Sequence, residues 1–363
     1  MNKPIRVGII GSQFISTIHA EALRPCAGAE LFAAASPNEQ HISAFAERQH
    51  IPHHFTDYRK MLEMDELDMV IVGVPTDLHC EVAINAAAAG KHVVMEKPLC
   101  LNLAEADQMI DACRRARVKL MYAEELCFAP KYVRLKQLLD SGALGKPLFI
   151  KQSEKHDGPH AAHFWDVNRA GGGVTMDMGC HAVEFFRWML GRPPLKSVYA
   201  QMSTSVHGEK TRGEDNAILI LEFEGGATAI AEESWTKPGG MDDRAEVYGT
   251  HGVAYADLLH GNAIETYSAV GYDYAVEKAG STKGWSFTIY EEAWNYGFHG
   301  EMAHFVDCVQ NDRKPLVTGE DGRAVLEVLM AAYESARTGG KVALPFQSKA
   351  RKPIDLWWAA GER

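Results

Sequence analysis

The chain has 363 residues, 46% apolar and 23% charged, a balance that suits two folded domains and excludes a disordered or fibrous protein. A formal charge of −11 argues against nucleic acid or an anionic membrane as partner, since both demand a basic face, and leaves small molecules as ligands. The seven cysteines (Cys26, Cys80, Cys100, Cys113, Cys127, Cys180, Cys308) are odd in number and form no CxxC pair, the usage of a reducing compartment.

Met1 to Arg6 runs straight into a strand-like stretch without a charged and then apolar leader. No apolar run approaches the ~18 residues of a membrane span, so a cytoplasmic protein is expected. Residues 1–125 alternate short β-branched runs with helix-period segments, the pattern of a doubly wound parallel sheet. Strands are expected at Ile5 to Ile10, Leu31 to Ala35, Asp68 to Val74, His92 to Met95 and Lys119 to Ala123. Helices fall at Phe14 to Leu23, Glu39 to His50, His79 to Ala89 and Leu103 to Ala116. After Pro130 comes a helix at Lys131 to Ser141, then strands without intervening helices. These are Leu148 to Ser153, Ser197 to Ser205, Ala217 to Phe223, Ala227 to Trp235 and Arg244 to Tyr248, with a hairpin turn at Glu224-Gly225-Gly226. Helices from about Gly300 to Gln310 and from Gly322 to Thr338 close this half. The fold expected is α/β: a Rossmann domain over 1–125, an α+β domain with an open-faced, mostly antiparallel sheet over 126–345, and a tail over 346–363.

Gly11 sits where the first strand turns into a helix, a place where bare N–H groups and the helix dipole receive a pyrophosphate. The dinucleotide fingerprint would place glycines at 11, 13 and 16, but Gln13 and Ser16 stand at the last two, with Phe14 and Ile15 between them. Gln13 can donate an amide hydrogen bond to a phosphate. At the second strand's end Ser36 replaces the acid that grips a ribose diol, and no basic residue adjoins it, so NAD and NADP both remain open.

Glu96-Lys97-Pro98 closes a buried strand at the carboxyl edge, where open α/β sheets bind ligands. A lysine there can hydrogen-bond a hydroxyl and stabilise a developing alkoxide, with the proline fixing the backbone, in trans or in cis. Further on, Gly171-Gly172-Gly173 leads through Asp177 to His181. Four residues apart on one helix, these two would share a face, so that the carboxylate orients an imidazole able to accept a proton.

These motifs resemble the Gfo/Idh/MocA family of glucose-fructose oxidoreductase, inositol dehydrogenase and their relatives. The resemblance runs through the turn ending at His19, Pro75-Thr76-Asp77-Leu78-His79, Glu96-Lys97-Pro98, the glycine block to His181, Gly249-Thr250-His251-Gly252, and Gly319-Glu320-Asp321-Gly322 with Ala332 to Ser335. It implies Lys97, Asp177 and His181 as the catalytic set of an NAD(P)-dependent oxidoreductase acting on a secondary hydroxyl of a sugar, glycoside or cyclitol. It places the Gly11 loop, Ser36, Pro75, Thr76, His79, Glu96 and Lys97 at the cofactor, and implies a homo-oligomer through the second-domain sheet. Two other activities stand beside this one: an NAD-retaining glycosidase or lyase that oxidises and re-reduces its substrate, and a nucleotide-sensing regulator without turnover.

The loop His156-Asp157-Gly158-Pro159-His160-Ala161-Ala162-His163-Phe164-Trp165 precedes the glycine block and in the family overlooks nicotinamide and substrate. His156, His160 and His163 suit sugar hydroxyls, and Trp165 suits stacking on a ring face or the nicotinamide. Their spacing matches no metal template, so no metal is assigned. Glu124 after the strand at Tyr122, and His299 in the aromatic stretch from Trp285, complete the candidate substrate residues.

Overall fold

A computed structural model describes residues 3–259, 264–268, 284–288 and 292–358. The chain forms two compact units, Met1–Glu125 with Gly297–Leu326, and Leu126–Tyr296 with Glu327–Arg363. The first unit opens with β1 (Ile5–Ile10), α1 (Phe14–Leu23), β2 (Ala29–Ala35), α2 (Glu39–Gln49), β3 (His53–Phe55) and α3 (Tyr58–Leu62). It continues with β4 (Met69–Val72), α4 (His79–Ala88), β5 (His92–Met95), α5 (Leu103–Ala116) and β6 (Leu120–Tyr122). The strands lie parallel in the order β3-β2-β1-β4-β5-β6. Met69, Val70, Ile71 and Val72 of β4 are all buried, as strands covered on both faces must be. Helix ends are set locally: the Asn38 and Asn102 side chains accept from His41 N and Glu105 N, capping α2 and α5. The order reverses between β1 and β4, which puts a ligand crevice at the carboxyl ends of those strands.

The second unit begins with α6 (Pro130–Asp140), β7 (Pro147–Lys155), α7 (Val167–Ala170), α8 (Val174–Asp177) and α9 (Gly179–Met189). Then come β8 (Leu195–Ser203), β9 (Asn216–Phe223), β10 (Thr228–Ser234), β11 (Asp242–Gly249) and β12 (Val253–Asp257). A separate hairpin of β13 (Ile264–Ser268) and β14 (Gly284–Thr288) and the short α10 (Glu292–Asn295) follow. The seven-stranded sheet runs β12-β11-β7-β10-β9-β8-β15, where β15 is Val342–Ala343. It is antiparallel throughout except for β7 and β10, which pair in parallel. One face is buried under α8 and α9. Along β9, Ala217, Leu219, Leu221 and Phe223 point to that face, while Ile218 is 46% exposed on the other. The turn at Gly225 and Gly226, both at positive φ, joins β9 to β10 as the sequence suggested.

The continuous second domain expected over 126–345 is interrupted. Helix α11 (Phe298–Gln310) packs on α1 and β1, burying Met302, Phe305 and Val306, so residues 297–326 fold with the first unit. Tyr122 N then donates to Val317 O, and Met121 bridges Thr318, which covers the open edge of β6. Helix α12 (Gly319–Thr338) starts three residues earlier than the sequence pattern indicated. The described part of the C-terminal tail, to residue 358, packs within the second unit. Ile354 N, opening α13 (Ile354–Trp357), donates to Gly171 O, and Lys352 Nζ reaches Asn168 Oδ1. All seven cysteines are free thiols. Among the described residues no helix is long and apolar enough to cross a membrane.

Candidate active site

In the first unit Gly11 adopts φ +124°, and a Cβ there would lie 2.4 Å from Gly73 O of the neighbouring strand end. Only glycine allows this approach, which brings the start of α1 against β4. Ser16, at the fingerprint's third glycine position, is fully buried, and its Oγ meets no partner among the described residues. Ser12 Oγ donates to Ser36 Oγ at 2.9 Å, so a hydroxyl pair occupies the place of the usual acid. The first turn of α1 carries no acidic residue, and Phe14 is 43% exposed beside Ile15. A dinucleotide pyrophosphate fits this turn: Gly11 leaves the backbone bare where α1 begins, the first turn holds no acid to repel a phosphate, and Ser16 Oγ behind it has no partner among the described residues. The Gln13 amide, a candidate phosphate donor, lies 3.3 Å from His41 Nδ1.

At the carboxyl ends of β4 and β5, Pro75 and Thr76 open a short 3-10 turn before His79. His79 is buried with Nε2 2.9 Å from Val74 O and Nδ1 3.1 Å from Pro98 O. Both ring nitrogens thus serve the main chain, which makes His79 a strut between two loops at the strand ends where it was expected to meet the cofactor. The Lys97-Pro98 peptide is cis. Lys97 N donates to Glu96 Oε2 at 2.9 Å, and Glu96 Oε1 lies 2.6 Å from His19 Nε2. Burial pushes the Glu96 carboxyl up, but His19 and Lys97 together outweigh it and hold it below the ordinary carboxylate range. Glu124 is fully buried after β6. The sequence reading missed Glu301 on α11. Fully buried with no donor to either oxygen among the described residues, it is raised well above the ordinary range by burial and then by Glu125, Glu96 and Glu124. His299, a candidate substrate residue, belongs to this unit, with Nδ1 3.4 Å from Ala22 O. Of the stretch from Trp285 to His299, residues 289–291 lie outside those described.

In the second unit Asp177 and His181 do not share one helix. Asp177 ends α8, the helix is interrupted at Met178, and His181 stands in the first turn of α9. Asp177 N and Met178 N still donate to Gly173 O and Val174 O four residues back, whereas His181 N donates to Met178 O only three back, which opens the new helix. Glu214, also missed from sequence, caps α8: its carboxylate accepts from Thr175 N at 2.9 Å, Gly173 N at 3.2 Å and Tyr333 Oη at 2.6 Å. Gly173 has no room for a side chain, since a Cβ would lie 2.0 Å from Glu214 O. Trp235, fully buried, donates from Nε1 to Asp177 Oδ2 at 3.0 Å.

The histidine loop is pinned to the same stretch. His156 N donates to Ser234 O and Gly158 N to Trp235 O, both at 2.9 Å, and His156 Nδ1 lies 2.6 Å from Gly158 O. His160 packs edge-on against His156 with centroids 4.7 Å apart, and His163 lies 4.4 Å from the Phe164 ring. Trp165, expected to stack on a ligand ring, packs edge-on against Trp235 and His207, with Lys210 Nζ 5.2 Å from its centroid. Trp235 therefore links Asp177 to the loop, a role that sequence spacing did not reveal.

Comparison with known proteins gives matching family models over both halves. Residues 5–124 match the oxidoreductase family with an NAD-binding Rossmann fold, and residues 132–255 match the GFO/IDH/MocA C-terminal domain. The chain is 30% identical to the myo-inositol 2-dehydrogenase of Thermotoga maritima over 342 residues, covering 94% of this chain and 98% of the relative. It is 31% identical to the D-xylose 1-dehydrogenase (NADP(+)) 2 of Haloferax volcanii over 340 residues, 93% of this chain and 99% of the relative. The crystal structure of GenD2 from gentamicin A biosynthesis, in complex with NAD, superimposes with a TM-score of 0.89 at 32% identity, covering 95% of this chain and 98% of that one.

Proposed function

The chain belongs to the GFO/IDH/MocA family of NAD-binding oxidoreductases, and from that premise we propose that it oxidises a secondary hydroxyl of a sugar, glycoside or cyclitol. The observation that carries this reading is Lys97 at the carboxyl end of β5, next to a Glu96 carboxylate held ionised by His19, in a unit whose Gly11 turn fits a dinucleotide. Bound at that turn, NAD or NADP supplies the hydride acceptor. The Lys97 ammonium polarises the substrate oxygen and stabilises the alkoxide that develops on it. His181 takes the hydroxyl proton as general base, and Asp177, one oxygen held by Trp235, orients the imidazole and favours its charged form. His156, His160 and His163 supply ring nitrogens toward the other hydroxyls. Reduction of the ketone uses the same groups in reverse.

The test is to denature the purified protein, assay any released nucleotide, and titrate the emptied protein with NAD and NADP. Binding of one or both supports the reading; binding of neither contradicts it.

A further inference from the structure

On the helix-facing side of the seven-stranded sheet three acids stand abreast. Asp243 of β11 pairs in register with Glu154 of β7, which pairs in register with Glu233 of β10. Asp243 is 0%, Glu233 2% and Glu154 6% exposed. The next row on that face holds Ala245, Gln152 and Ala231, so the acids interrupt a surface of small and apolar residues. Neighbouring strands lie about 4.8 Å apart, and like charges directly opposite one another are destabilising.

Donors to Asp243 and Glu233 are few among the described residues. Tyr132 Oη donates to Asp243 Oδ1 at 2.5 Å, and Gln152 Nε2 reaches the same oxygen at 3.4 Å. Asp243 Oδ2, both Glu233 oxygens and Gln152 Oε1 meet no donor among the described residues. Lys155 attracts Glu233 but is bonded at 2.8 Å to Glu232 on the opposite face, and Asp243, Asp177 of α8 and Glu232 repel it. Helix α9, which packs on β7 and β10, brings Glu184, already paired with Arg187 and Arg192. A carboxyl so placed takes up a proton rather than remain charged without donors. Burial first, then Asp243, pushes Glu233 well above the ordinary carboxylate range, and burial pushes Asp243 up to about 7.

We propose that Glu233 is a positioning residue for Asp177: standing as a neutral acid two residues before Trp235, it leaves the local negative charge on Asp177, whose Oδ2 Trp235 holds at 3.0 Å. Ionised, Glu233 would drive a proton onto Asp177, and the imidazole of His181 would lose its charged partner. The inference rests on the role given to Asp177 above.

Infrared spectroscopy on the purified full chain at neutral pH reads the state directly. The difference between wild type and Glu233→Gln should show the carbonyl stretch of a protonated carboxylic acid, shifted in D2O and lost in the variant. In the same difference spectrum the antisymmetric carboxylate stretch should be unchanged, because the shared negative charge stays on Asp177 when Glu233 is replaced. An unchanged acid band, or loss of a carboxylate band in the variant, would overturn the proposal. The infrared measurement needs no turnover, so it separates failure of this inference from failure of the dehydrogenase reading. Glu233→Met, which removes the carboxyl and leaves no polar group, serves as a second variant if the amide does not fold.

Discussion

Glu96 in the first unit and Glu233 in the second are 6% and 2% exposed, yet their pKa values shift in opposite directions, toward the charged form for Glu96 and toward the neutral form for Glu233. Glu96 has an imidazole on one oxygen, a main-chain N–H on the other and the Lys97 ammonium nearby, and it stays below the ordinary carboxylate range. Glu233 has no donor among the described residues, two acids in its row and Asp177 within electrostatic reach, and it is raised. Burial alone does not decide the state of a carboxyl; the donors that the fold brings to it do. The consequence is a division of labour, with the charged acid beside the lysine proposed for chemistry and the neutral acid behind the carboxylate proposed to orient the base.

His19→Ala should break this contrast most severely, because it leaves the Glu96 charge buried with its strongest partner gone. A loss of about 3–5 kcal/mol is expected in urea unfolding at neutral pH. Since the folded pKa of Glu96 is lowered, its contribution is present above the ordinary carboxylate pKa and lost as pH falls through the lowered value. The gap between wild type and variant should therefore close in acid. A gap independent of pH would show that Glu96 is not the charged member.

Lys97→Ala tests whether the charged side carries the chemistry. Turnover at saturating cofactor should fall by about a hundredfold with the fold intact. A loss of less than tenfold would remove the role assigned to the lysine.

Glu233→Gln sharpens the contrast with a smaller effect of opposite sign, a gain of about 1–3 kcal/mol, as an orphaned acid among other acids is replaced by an amide that cannot ionise. Because the folded pKa of Glu233 is raised, its penalty is absent below the ordinary carboxylate pKa and grows as pH rises toward the folded value. The stabilisation should accordingly widen from acid to neutral pH. Destabilisation at neutral pH would mean that Glu233 is ionised and partnered.

How far the sequence could reach follows from which signals are local. The strands Ile5–Ile10 and His92–Met95 were legible to the residue, because buried parallel strands are continuous apolar runs bounded by turns. The edge elements β3, β12 and β15 were missed, being short and carrying little apolar periodicity of their own. Residues 297–326 were assigned to the wrong half because their helical pattern shows an apolar face but not the surface it covers. Among candidate site residues, Lys97 and Asp177 were proposed from motifs, whereas Trp235 and Glu214 bond to partners 58 and 39 residues away. The acidic row depends on register across three strands, which no single stretch encodes. One signal was available: in the alternation Ala229, Ala231, Glu233, the acid falls on the apolar side of its strand.

The most direct test of the central claim is turnover of a panel of cyclitols, aldoses and glycosides with NAD and with NADP, following reduced nucleotide and ketone together. The account predicts that reduced nucleotide accumulates in step with ketone for at least one substrate. Cleavage of a glycoside with no net reduced nucleotide, or nucleotide binding with no turnover of any of them, would contradict it.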